Sequence, residues 1–279
     1  MVSTLQTPIV VAIFLCAMGF ENALKGVVLS INKFGMSKTP VPAIMIIANL
    51  LALVTGPVYV LWLLTTTDCQ SMTLAMKLCM HSFFITFSFF LLYKTWIVSQ
   101  KRKTVAIAAC ILLLNRCVWI VTDIAWSKTV QSVAGCFYIQ DKVAIVGIST
   151  GGLLVDVFCT FTTIMSAFRD VDFDAPNKMQ RIYRVLIADN VLRTISVSAV
   201  NAFTLNYAMC SSLALIPGTP SIMIVIPSIS LFVYTQAINA EFAWMNVRND
   251  IMKGPEREQI RLTSVSIGGG SEKKATLDR

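Results

Sequence analysis

The chain has 279 residues, 56% of them apolar and only 14% charged, with a mean hydropathy of +0.70. A soluble domain carries about a quarter charged residues, so a soluble protein of this size is excluded and an all-α, polytopic membrane protein is expected. The net charge of +8 comes from basic residues spread along the whole sequence, which fits an inner-leaflet role better than nucleic-acid binding.

A helix crossing a bilayer needs about 20 mainly apolar residues, because the hydrocarbon offers no water to the backbone. Seven segments meet that requirement: Pro8 to Ile31, Pro42 to Leu64, Leu74 to Val98, Thr104 to Trp126, Val143 to Phe168, Ile182 to Ala208 and Leu213 to Ile238. Within the first, Val10 to Phe20 has the length of a signal-peptide core and Ala17-Met18-Gly19 offers a small-residue cleavage site. No basic residue precedes it, so a retained span is expected. Pro57 and Pro227 are expected to kink the second and seventh helices. In the fifth, Gly147-Ile148-Ser149-Thr150-Gly151 matches the serine-hydrolase pattern, but that pattern needs a strand-to-helix turn. Inside a transmembrane helix it reads as a small-residue packing face. The seven-helix domain thus covers residues 1–238. Residues 239–254 follow as an amphipathic helix on the inner surface, with Phe242, Met245, Ile251 and Met252 toward lipid, ended by Gly254-Pro255. Residues 255–279 are polar and are expected to be a disordered cytoplasmic tail.

Basic residues set the orientation. On one side fall Lys33, Lys38, Lys94, Lys101, Arg102, Lys103, Arg169, Lys178, Arg181, Arg184, Arg248, Lys253 and Arg257, and on the other only Lys77, Lys128 and Lys142. The positive-inside rule then places the N-terminus outside and the C-terminus in the cytoplasm. Trp62 and Trp126 fall at outer helix ends and Trp96 and Trp244 at inner ones, where interfacial anchors belong. Cys69, Cys136 and Cys210 lie at the outer face, where an oxidising compartment permits disulfides. A Cys69 to Cys136 bond is expected, tying the start of the third helix to the longest outer loop and leaving Cys210 over.

Charges inside the spans carry most of the functional information. Glu21, Arg116, Asp156 and Arg193 fall near the middle of their helices, and Asp189 lies one turn from Arg193. An ionised side chain at the bilayer centre costs about 2.5–3.5 kcal/mol even on the lenient insertion scale, so these residues are expected to face the bundle interior and find partners. Three readings stay open: a structural ion-pair lattice, a polar ligand pocket, or an ion or proton path. His81, the single histidine, excludes metal sites built on two imidazoles and reads as a polar bridge between helices. The seventh segment has no lysine for a retinal Schiff base, so no cofactor is implied and no enzymatic activity is expected.

Seven N-out helices, a bond from the third helix to the second outer loop, and an amphipathic segment after the seventh resemble a seven-transmembrane receptor. With Asn239 through Arg248 following the seventh helix, the chain is similar in architecture to uncharacterised receptor-like membrane proteins of fungi. The third helix ends Tyr93-Lys94-Thr95-Trp96 where the rhodopsin-like class has an acidic-Arg-aromatic triplet. The resemblance implies a receptor of an unknown ligand, in the plasma membrane or an endomembrane, with a signalling partner at its basic inner loops. A small transporter or proton-coupled permease is the alternative, and a membrane scaffold without ligand is a third.

Overall fold

A computed structural model describes residues 2–65, 67–132, 135–139, 141–170, 177–210 and 224–242. Among them seven helices form: α1 (Val2–Ser37), α2 (Pro40–Leu64), α3 (Cys69–Val98), α4 (Lys103–Trp126), α5 (Lys142–Asp170), α6 (Asn177–Cys210) and α7 (224–242). The first five are long and apolar enough to cross a membrane. The molecule is nearly all helical.

The distribution of side-chain size explains why the bundle needs lipid around it. On α1 the residues turned inward are Ala12, Cys16, Gly19, Ala23, Gly26 and Ser30, alternately four and three apart, while Phe14, Met18, Leu24, Val28 and Ile31 point outward. Small residues inside and bulky apolar residues outside invert the pattern of a soluble helix and match helix association within a membrane. The seam lets α1 lie close against α2 and α7. A Cβ at Gly19 would stand 3.8 Å from the Phe232 backbone, and one at Gly56 would stand 3.7 Å from the Cys16 carbonyl. Asparagines lock the three helices together: Asn49 Nδ2 donates to Asn239 Oδ1 at 3.1 Å, and Asn239 Nδ2 donates to the Asn22 carbonyl at 2.8 Å.

The Gly147 to Gly151 face serves packing. Gly147 leaves room for the Trp119 ring of α4, and Gly151 faces Asn115 across the same contact. Between α2 and α3, Trp62 is 5% exposed and donates its indole N–H to Thr73 Oγ1 at 2.9 Å. It is a buried brace, not the interfacial anchor expected of it, because its ring turns toward α3 to meet that hydroxyl. Trp126, 60% exposed at the end of α4, keeps an anchor's position.

Two further expectations are corrected. The loop after α4 holds an antiparallel hairpin, β1 (Lys128–Ser132) and β2 (Gly135–Ile139), with Val130 opposite Phe137. β-branched and aromatic residues at Thr129, Val130, Phe137, Tyr138 and Ile139 favour the extended state, and the Cys69–Cys136 disulfide, with Cα atoms 5.3 Å apart, anchors it. The second correction concerns α7, which continues through residue 242, past the expected end at Ile238, with Phe242 buried at 4% exposure. Its face follows Tyr234 and Ile238 inward for another turn, away from lipid. Residues 243–279, and with them the rest of the surface helix and the tail, lie outside the described residues.

Candidate functional site

Among the described residues the interior holds eight acidic or basic side chains, each no more than 7% exposed: Lys77, His81, Lys94, Arg116, Asp123, Asp156, Arg193 and Glu241. They form three layers along the bundle axis. Each is supplied by residues two helical turns apart on an inward face, such as Arg116 and Asp123 on α4, or Arg193 and Asn201 on α6.

The layer beneath the hairpin centres on Asp123. One carboxylate oxygen faces His81 Nε2 at 2.9 Å, and the other accepts from Ser127 Oγ at 2.8 Å. Lys77 Nζ reaches the Asp123 carbonyl at 3.4 Å. His81 thus bridges α3 to α4. The middle layer joins α4, α5, α6 and α7. Tyr234 donates to Asn201 Oδ1 at 2.8 Å, and Asn201 Nδ2 lies 3.4 Å from Asp156 Oδ2. Both Arg116 and Arg193 act electrostatically on Asp156. Gly152 makes this layer possible: a Cβ there would stand 2.8 Å from Arg116 Nη1 and 2.9 Å from Asn201 Nδ2. Tyr234 is held by stacking on Phe87, with centroids 4.6 Å apart, and by the edge of Phe84. In the third layer, farthest from the hairpin, Lys94 pairs with Glu241, and Arg193 Nη1 stands 4.0 Å from the same carboxylate.

Of the five charges singled out in the sequence, Arg116, Asp156 and Arg193 are brought together. Glu21 is not. It pairs with Lys25 at 2.6 Å on the outer face of α1, with both side chains about two-thirds exposed. Positions 21 and 25 lie opposite the seam that binds α1 to the bundle, so Glu21 cannot reach the interior site. The side chains of Asp189 and Cys210 lie outside the described residues. Lys77, Lys94, Asp123 and Glu241 were missed. Lys94 and Glu241 sit near helix ends and read as loop and surface charges. Their signal is periodicity, since Glu241 continues the face of Tyr234 and Ile238 at seven and three residues.

A cavity of about 100 Å³ opens between the first two layers. Its polar wall is His81, Arg116, Asp123, Ser149, Asn201 and Tyr234, and its apolar wall includes Met76, Met80, Phe84 and Pro227. Two buried polar atoms there, Arg116 Nε and His81 Nδ1, have no hydrogen-bond partner. A buried group left unsatisfied costs about 1–3 kcal/mol, so a ligand supplying an acceptor to Arg116 would recover part of that cost. Among the described residues no group of three or more His, Cys, Asp or Glu is placed to hold a metal ion. No protein-family model matches the chain, and no curated protein matches it.

Proposed function

We propose that the chain is a seven-span, receptor-like membrane protein, N-terminus outside and C-terminus cytoplasmic, that binds a small ligand between α3, α4, α5, α6 and α7. The observation that carries this reading is the cavity itself. It lies below a disulfide-tied hairpin and touches two layers of a polar column that runs on to the opposite end of the bundle. The ends differ as the reading requires: the disulfide suits an oxidising compartment, while Lys38, Lys101, Arg102 and Lys103 are exposed at the other end. A ligand carboxylate at Arg116 would compete with Asp156 for the guanidinium. Asp156, Asn201 and Arg193 would then repack, and the change would pass to Glu241 and Lys94 near the surface offered to a cytoplasmic partner. Binding shifts the bundle only by its preference for one of the two arrangements.

The test is a thermal-stability screen of the full chain in detergent against a panel of small carboxylates. A compound that binds should raise the melting temperature of the native protein, and Arg116→Gln should weaken its apparent affinity by about ten-fold or more, the loss of one buried charge-assisted bond. Equal stabilisation of both proteins would remove Arg116 from the site. A second reading, a proton-coupled permease, is favoured by one observation: buried acidic side chains recur in all three layers, Asp123, Asp156 and Glu241.

A further inference from the structure

A second cavity, independent of the ligand site, lies on the outside of the bundle. Between the last turns of α3 and the first turns of α4, Phe89, Leu92, Tyr93 and Trp96 face Ala106 and Cys110 across a groove of about 220 Å³. Bulky residues of α3 on one side and Ala106, Ala109 and Cys110 of α4 on the other, closed by Leu113, leave a slot open to the surrounding bilayer.

Two features at its mouth point to one kind of occupant. Lys101, Arg102 and Lys103 are all exposed there. The turn that carries them is fixed on the groove wall, for Ser99 Oγ and the Lys101 N–H both donate to the Trp96 carbonyl at 2.9 Å. That turn uses two consecutive non-glycine residues in the left-handed region, Gln100 at φ 58° and Lys101 at φ 59°, a conformation L side chains rarely adopt. The N-terminus of α4 is the second feature. It has no side-chain cap and no acidic residue in its first turn, so its positive dipole end meets two cations, Arg102 and Lys103, in place of the anion it would favour.

We propose that this groove binds an anionic phospholipid, with an acyl chain between the aromatic wall and the small residues of α4. Its phosphate lies at the α4 N-terminus among Lys101, Arg102 and Lys103. An apolar slot alone would take any lipid. The uncapped cationic helix end selects a negative one.

Native mass spectrometry of the delipidated full chain, titrated with phosphatidylserine or with phosphatidylcholine of the same acyl chains, reads this directly. The serine lipid should bind about a hundred-fold more tightly, with about five-fold lost for each basic residue neutralised, so that Lys101→Gln, Arg102→Gln and Lys103→Gln together abolish the preference. Cys110→Trp, made at an exposed position, should fill the slot and weaken both lipids. Equal affinity of the native protein for the two lipids, a preference that survives the triple substitution, or undiminished binding to Cys110→Trp would each overturn the proposal.

Discussion

Glu241→Ala should lower the stability of the folded protein by about 3–5 kcal/mol, the cost of removing one partner from a buried ion pair. The carboxylate is 2% exposed and faces both Lys94 and, at 4.0 Å, Arg193. Two cations from α3 and α6 would then share a low-dielectric layer without the Glu241 carboxylate that faces them both. Exchanging the pair for apolar residues of similar size, Lys94→Met with Glu241→Leu, should restore more than half of the loss, because a buried pair contributes little net stability over a packed apolar contact. Unfolding followed by a thiol-reactive dye is a suitable measurement, since Cys16 and Cys159 are buried and react only when the bundle opens. If Glu241→Ala melts with the native protein, the third layer has no structural role.

The disulfide should have the next largest effect. Cys69 and Cys136 are 67 residues apart in sequence, so their bond shortens a long loop in the unfolded chain, and its loss should cost about 2–4 kcal/mol. Cys69→Ser with Cys136→Ser should match the native protein treated with reductant, and the double variant should not respond to reductant at all. A native melting temperature unchanged by reduction would show that the bond is not formed.

Much of this architecture was legible in the sequence because the bilayer is a demanding solvent. Hydropathy located the helices, and Cys69 and Cys136, expected at one face of the bundle at the start of the third helix and in the long loop after the fourth, are the pair that bonds. Arg116, Asp156 and Arg193 stood out because charge is costly at mid-helix. Depth is only one coordinate, however. It could not separate Glu21, which turns away from the bundle, from Asp156, which turns in. The angular coordinate was present in the small-residue seam of α1, which fixes the inward face and so puts Glu21 outside. Charges near helix ends were the second blind spot. Lys94 lies in the last turn or so of the expected third span and Glu241 three residues beyond the expected seventh, and only the partner across the bundle shows that they are buried. The hairpin was overlooked because ten short residues between long apolar helices have no hydropathy signal. Alternation and β-branched content were the cues.

The central claim is that the polar column transmits a binding event and does not conduct. Proton flux through vesicles containing the full chain, followed with an internal pH dye under an imposed gradient, tests it most directly. The receptor reading predicts a rate equal to that of protein-free vesicles, for the native chain and for Asp156→Asn alike. A flux present in the native protein and abolished by Asp156→Asn would contradict it and establish the permease reading.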